Sequence, residues 1–306
     1  MARTRFPVDR GLAARMVVTM FLLGLLYVVF IGVLTALGTS FVVVLVIAGG
    51  LLVAQYAFSD RIAMFSMNAH EVTLAEEPVL HGIIDRLCAL ADMAKPRVAI
   101  ADTDLPNAFA TGRNPDHAVV AVTAGLLRRL DEPELEAVLA HELSHVAHRD
   151  VMVMTIASFL GIAAGLLTRF AFYSGLFGGF GGRRSHDDKG GTPVVLVVLI
   201  VSVAVYAVSF LLTRALSRYR ELSADRAAAV LTGRPSTLAA ALVKISGEMS
   251  RIPTRDLRSA EPMNAFFFAP ALAPGFSISS LFSSHPSLER RLEQLAAIEA
   301  DLGRAA

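Results

Sequence analysis

The chain has 306 residues, 54% of them hydrophobic and only 18% charged, with 28 Lys and Arg against 27 Asp and Glu for a formal net charge of +1. A mean hydropathy of +0.56 excludes an ordinary soluble domain and fits a membrane protein with a soluble part, and the balanced charge offers nothing to a nucleic-acid partner. A single cysteine, Cys88, excludes an intramolecular disulfide and a cysteine-rich zinc site, and the lack of tryptophan leaves Tyr and Phe for any interfacial belt.

From the amino terminus, residues 16–37 form an uncharged run long enough to cross a bilayer core, which takes roughly 20 helical residues. The run is too long for a cleaved signal, and a second uncharged run, 41–58, follows after Gly38-Thr39-Ser40, so a retained hairpin is predicted. Arg3, Arg5, Arg10 and Arg15 precede it while its turn is uncharged, which predicts a cytoplasmic amino terminus. Next comes a helical pattern over 76–94, with Val79, Ile83, Ile84, Leu87, Leu90 and Ala91 on one side and Cys88 as a small buried residue. After Pro96, strand-like runs at 97–100, 108–111 and 118–122 are separated by Asp104, Pro106, Gly112 and Asn114-Pro115-Asp116, predicting a small antiparallel or mixed sheet.

Asp131 suits a helix N-cap, with Pro133 in the first turn and Glu134 completing a capping box. That amphipathic helix runs through His141-Glu142-Leu143-Ser144-His145. A third apolar run, 151–168, trails through Arg169 to about 172, and a fourth covers 194–213. The loop between them carries Arg183, Arg184 and Lys189, partly offset by Asp187 and Asp188. No helix breaker follows the fourth run until Gly233-Arg234-Pro235, so the helix is expected to leave the membrane carrying Glu221 and Asp225. Residues 236–249 and 286–302 are further predicted helices, flanking a Pro-, Ser- and Phe-rich stretch at 253–284.

The fold class expected is a mainly α membrane protein: four transmembrane helices and an α+β domain with a small β-sheet. Its expected parts are an amino-terminal tail and hairpin (1–58), a first soluble part (59–150), a second hairpin (151–213) and a second soluble part (214–306). An even number of spans returns both soluble parts and both termini to the cytoplasmic side.

Helical spacing i, i+4 puts His141 and His145 on one face, able to direct ring nitrogens at one ion, while Glu142 reaches a metal-bound water. A hydrolytic zinc site takes three protein ligands, and Glu221 is the best third; Asp225, one turn on, can accept a hydrogen bond from the outer nitrogen of a liganding His. Either motif alone would be a solvated or ion-paired helix face; together, on antiparallel spans that bring both roughly 10 Å from the apolar boundary on one side, they point to a metal site. Its chemistry would be peptide hydrolysis with Glu142 as general base. His285 is a candidate donor to the oxyanion, or equally a histidine that merely precedes Pro286. The strand from Asn107 to Gly112 is a candidate edge for an extended peptide.

These motifs resemble those of the HtpX family of membrane zinc metallopeptidases, relatives of the zinc-dependent CAAX prenyl proteases. The resemblance rests on His-Glu-Leu-Ser-His-Val-Ala-His-Arg-Asp at 141–150, Arg-Glu-Leu-Ser-Ala-Asp at 220–225, Pro-Asn-Ala-Phe-Ala-Thr-Gly at 106–112 and Ser-His-Pro-Ser-Leu-Glu-Arg-Arg at 284–291. It implies a gluzincin-like catalytic domain in an integral, multi-pass plasma (inner) membrane protein. It also implies one Zn2+ per chain on His141, His145 and Glu221, Glu142 as base, Asn107 and Ala108 as substrate contacts, and His285 beside the transition state. The implied activity is endoproteolysis of misfolded or damaged membrane proteins, a quality-control and stress role, with polypeptides and lipid as partners and no nucleic acid. A prenyl-protein peptidase is a weaker alternative, since that family uses more spans; a membrane adaptor or holdase with structural zinc would need a fourth ligand. The chain gives no sign of its oligomeric state.

Overall fold

The computed structural model describes residues 9–36, 41–150, 153–154, 157, 191–251 and 285–305. The third predicted span, the charged 183–190 loop and the Phe-rich 263–283 stretch lie outside the described residues, apart from isolated positions of the span. The chain divides into two compact units: one built from 14–56 and 153–213, the other from 1–13, 57–152 and 214–306.

The first unit contains most of α1 (Arg10–Ala36), nearly all of α2 (Phe41–Ala57) and the first part of α7 (Gly191–Thr232). Leu23, Phe30, Leu34, Ala157 and Val205 form its small core. Most apolar side chains point outward, with Val17, Phe21 and Val28 each 69% exposed, a distribution that suits lipid rather than water. Arg10–Ala36 and Leu196–Thr232 are candidate membrane spans by length and composition. The helix α2 is uncharged but has only 17 residues, so two of the four expected spans meet the length criterion among the described residues. At 1.5 Å per residue, a helix of 37 residues far exceeds a hydrocarbon core of about 30 Å. The uncharged portion up to residue 213 is the part that suits the bilayer; from Arg214 onward charges return.

The second unit carries the sheet. It holds α3 (Ser59–Ser66), β1 (Ala69–Glu71), α4 (Pro78–Ala91), β2 (Arg97–Ala101), β3 (Ala108–Thr111), β4 (Val119–Thr123), α5 (Ala124–Leu127), α6 (Glu132–Ala147), the end of α7, α8 (Pro235–Arg251) and α9 (Leu288–Ala305). The sheet is mixed, in the order β1-β2-β4-β3: β1 pairs antiparallel with β2, β2 parallel with β4, and β3 antiparallel with β4. Side chains alternate with period two between its faces. Val98, Ile100, Val120 and Val122 join the main core with α4, α6, α8 and α9, while Ala99, Ala101, Val119 and Ala121 pack with Phe109 against Ala63 and Met67.

The predicted capping box of α6 is present: Asp131 accepts from the Glu134 N–H at 2.9 Å, and Glu134 accepts from the Asp131 N–H at 3.1 Å. The helix α7 runs unbroken to Thr232, and Gly233, with φ of 65°, ends it in the left-handed conformation that glycine adopts without strain. Three short elements were not predicted: α3, β1 and α5.

Candidate active site

All five charged or imidazole side chains of interest on α6 and α7 are turned inward. His141, Glu142 and His145 are buried among the Leu135, Val138, Leu139 and Leu143 packing of α6, and Glu221 and Asp225 are buried on α7. The Nε2 atoms of His141 and His145 lie 3.2 Å apart, and the Glu221 oxygens stand 3.6 Å and 3.5 Å from them. Around a tetrahedral ion with ligands at about 2.0–2.1 Å, neighbouring donor atoms fall about 3.3 Å apart. One donor atom from each of the three residues lies within 4.8 Å of the others, so three donors on two helices converge closely enough to hold a small divalent cation.

The outer ring nitrogens are also engaged. His141 Nδ1 is 2.9 Å from Asp225 Oδ1, and His145 Nδ1 is 2.8 Å from Asp150 Oδ2. A carboxylate on Nδ1–H holds the tautomer whose Nε2 lone pair faces the ion. Two such lone pairs in contact repel unless a cation lies between them. A proton can serve: although burial opposes it, hydrogen bonds with Asp225 and Glu221 push the His141 pKa up to about 9. His145 moves the other way, lowered by burial against the pull of Asp150. Burial works against the charge on Glu221 too, yet His285, His141 and His145 hold its carboxyl well below the usual range. This donor set prefers a positive charge at its centre and fits a divalent metal.

Each supporting carboxylate is itself held by an arginine. Arg291 on α9 makes two 2.7 Å hydrogen bonds to Asp225, and Arg220 Nε lies 3.1 Å from Asp150. Burial opposes ionisation of both aspartates, but Arg291 keeps Asp225, and Arg220 keeps Asp150, below the ordinary carboxylate range. Asp150, Arg220 and Arg291 were not singled out from the sequence. Asp150 reaches back only because Arg149 adopts a left-handed φ of 58° just past the end of α6. For Arg291 the signal lay in the Ser284–Arg291 motif, without a role attached.

Glu142 points toward the sheet. Burial pushes its pKa up to about 7; His141 and a hydrogen bond from the Ala110 backbone N–H act in the opposite direction. Ala110 belongs to β3, which is an edge strand. In the β3–β4 register Asn107 pairs with Thr123, whose N–H donates to the Asn107 carbonyl at 2.9 Å. Ala108 and Ala110 therefore direct their backbone groups away from β4. Asn107 is fully buried, and its backbone N–H donates to Thr123 Oγ1 at 2.9 Å. His285 is buried, with Nδ1 at 3.2 Å from Glu221. The structure therefore brings His285, Glu142 and the metal-binding cluster together, with β3 alongside Glu142.

A buried three-donor cation site with an unliganded glutamate beside an edge strand defines a metalloprotease. The sequence profile of Peptidase family M48 matches residues 74–299. Protease HtpX homolog 1 of Streptomyces coelicolor is 61% identical over 99% of this chain and 98% of its own length. The Protease HtpX homolog of Moorella thermoacetica is 54% identical over 98% of each, and that of Pyrococcus furiosus is 43% identical over 81% of this chain and 83% of its own. Among solved structures, the crystal structure of S. mikatae Ste24p aligns with a TM-score of 0.51 at 18% identity, covering 94% of this chain and 67% of that one, a likeness of fold. The chain belongs to peptidase family M48, and the HtpX resemblance seen in its motifs extends over nearly its whole length.

Proposed function

We propose that this chain is a membrane-tethered zinc endopeptidase that cleaves misfolded or damaged membrane proteins near the cytoplasmic bilayer surface. The observation that carries the reading is the convergence of His141, His145 and Glu221, with one donor atom of each within 4.8 Å of the others and a carboxylate behind each imidazole. These three residues would hold one zinc ion, which supplies Lewis-acid polarisation of the scissile carbonyl and an acidified water.

The remaining steps belong to side chains of this chain. Glu142 takes the proton of the attacking water and delivers it to the departing amine. His285, beside Glu221, donates to the developing oxyanion. Asp225 and Asp150 keep the imidazoles in the liganding tautomer. An extended substrate adds to β3, with the outward backbone of Ala108 pairing with it and Asn107 fixing the strand through Thr123.

In this reading 59–150 and 214–306 together make the catalytic part, and the hairpins 1–58 and 151–213 tether it. Arg3, Arg5, Arg10 and Arg15 favour a cytoplasmic amino terminus. The test is metal analysis together with degradation of casein or a membrane substrate in detergent. About one zinc per chain is expected, and Glu142→Ala should remove activity by a factor of roughly 100 or more while leaving the melting temperature intact. Equal cleavage by wild type and Glu142→Ala would overturn the reading.

A further inference from the structure

The helix α3 is turned the wrong way round for a surface helix. Phe58, Ile62 and Phe65, spaced i, i+4, i+7, share one face and are 47%, 52% and 88% exposed. The buried side instead carries Ala63 and Met67, with Asp60 2.8 Å from Arg97. Singly exposed apolar residues are ordinary on protein surfaces; a helical stripe ending in an almost fully exposed phenylalanine is not. Arg61 borders the stripe, its guanidinium 5.8 Å from the Phe58 ring centre.

Position in the chain identifies the occupant. The helix α3 starts at Ser59, one residue after Phe58, which itself follows the last residue of the uncharged helix α2. A short amphipathic helix leaving an apolar one, apolar on its outer face and basic at its border, matches the makeup of helices that lie in the lipid interface. We infer that the Phe58–Ile62–Phe65 face of α3 lies in the lipid interface and holds the edge strand β3 at the bilayer surface. The link to β3 is direct packing, since Phe109 of β3 shares a core with Ala63 of α3 and with Met67 just past its end. This inference rests on the membrane-bound character of the protein and holds whichever substrate the site takes.

The chain contains no tryptophan, so Phe65→Trp introduces a single reporter. In full-length protein reconstituted into phosphatidylcholine–phosphatidylglycerol vesicles, its emission should be blue-shifted and quenched by brominated acyl chains. Leu302→Trp on α9 should instead be quenched by aqueous acrylamide. Water-like, acrylamide-accessible emission at position 65 would overturn the inference, as would a blue shift without bromolipid quenching, which would mean a protein contact. As a second arm, Ile62→Asn/Phe65→Ser should lower cleavage of a bilayer-anchored substrate by roughly tenfold, the scale of withdrawing an aromatic side chain from an apolar medium. Cleavage of a soluble peptide in detergent should not change. Equal loss in both assays would assign the face a purely structural role and reject the interfacial one, while zinc content and Glu142→Ala report on the catalytic reading separately.

Discussion

Two histidines of the cation site are buttressed by the same chemistry from different sources. His145 takes its carboxylate from five residues further along its own segment, Asp150, through the left-handed turn at Arg149. His141 takes Asp225 from α7, and Asp225 is held in turn by Arg291 from α9. One support reaches its histidine within a single segment, through one left-handed turn, and is anchored by Arg220 of α7. The other requires three elements to pack and sits deeper, with Asp225 fully buried and Arg291 only 2% exposed. The His141 side of the site therefore draws on one more packed element, α9, than the His145 side.

That contrast can be broken most forcefully at Asp225. Asp225→Ala leaves the Arg291 guanidinium buried without its counter-charge, and should cost about 3–5 kcal/mol of stability, measurable as a large drop in melting temperature in detergent. Metal affinity should fall as well. On the local side, Asp150→Asn removes the negative charge behind His145 but keeps the shape. Zinc affinity should fall by about 10–100-fold in a chelator competition, with a smaller thermal shift than at Asp225. If the two variants lose stability equally, the supports are not separable.

The turn itself sharpens the point. Arg149→Gly relieves a left-handed non-glycine conformation and should be neutral or stabilising by up to about 1 kcal/mol with activity kept. Arg149→Val should shift Asp150 away and copy the metal defect of Asp150→Asn. The smallest effect belongs to an exposed Asp–Arg network used as a control. Hydrogen bonds from Arg129 and Arg128 hold Asp104 at about 2. Because this folded-state pKa is depressed, its contribution is present above about pH 4, the unfolded value, and fades as pH falls through about 2. Asp104→Ala should therefore leave the melting temperature at neutral pH nearly unchanged, since solvent screens such surface pairs.

The legibility of these features follows the range of the forces behind them. The capping box at Asp131 and Glu134, the one-face spacing of His141 and His145, and the pairing of Glu221 with Asp225 along one helix are short-range patterns set by helical geometry. They could be read directly. The strand β1 is three residues long and makes sense only as the partner of β2. The helix α3 reads poorly because its apolar stripe faces outward, against the rule that such stripes face a core. The described residues hold two candidate spans of the four expected, and α2, at 17 residues, stands at the lower limit of length for a crossing.

The sequence by itself determined the chemistry on offer and its local placement: which residues could donate to a cation, which helix carries each, and where apolar runs would meet lipid. Tertiary structure alone decided how that chemistry is supported. Arg291 is 66 residues from Asp225, and Arg220 lies 70 positions beyond Asp150 (220 − 150), so neither pairing leaves a periodic trace in the chain. Buried charges must find counter-charges wherever the fold brings them together, because desolvation penalises an unpaired ion by more than any local propensity can offset.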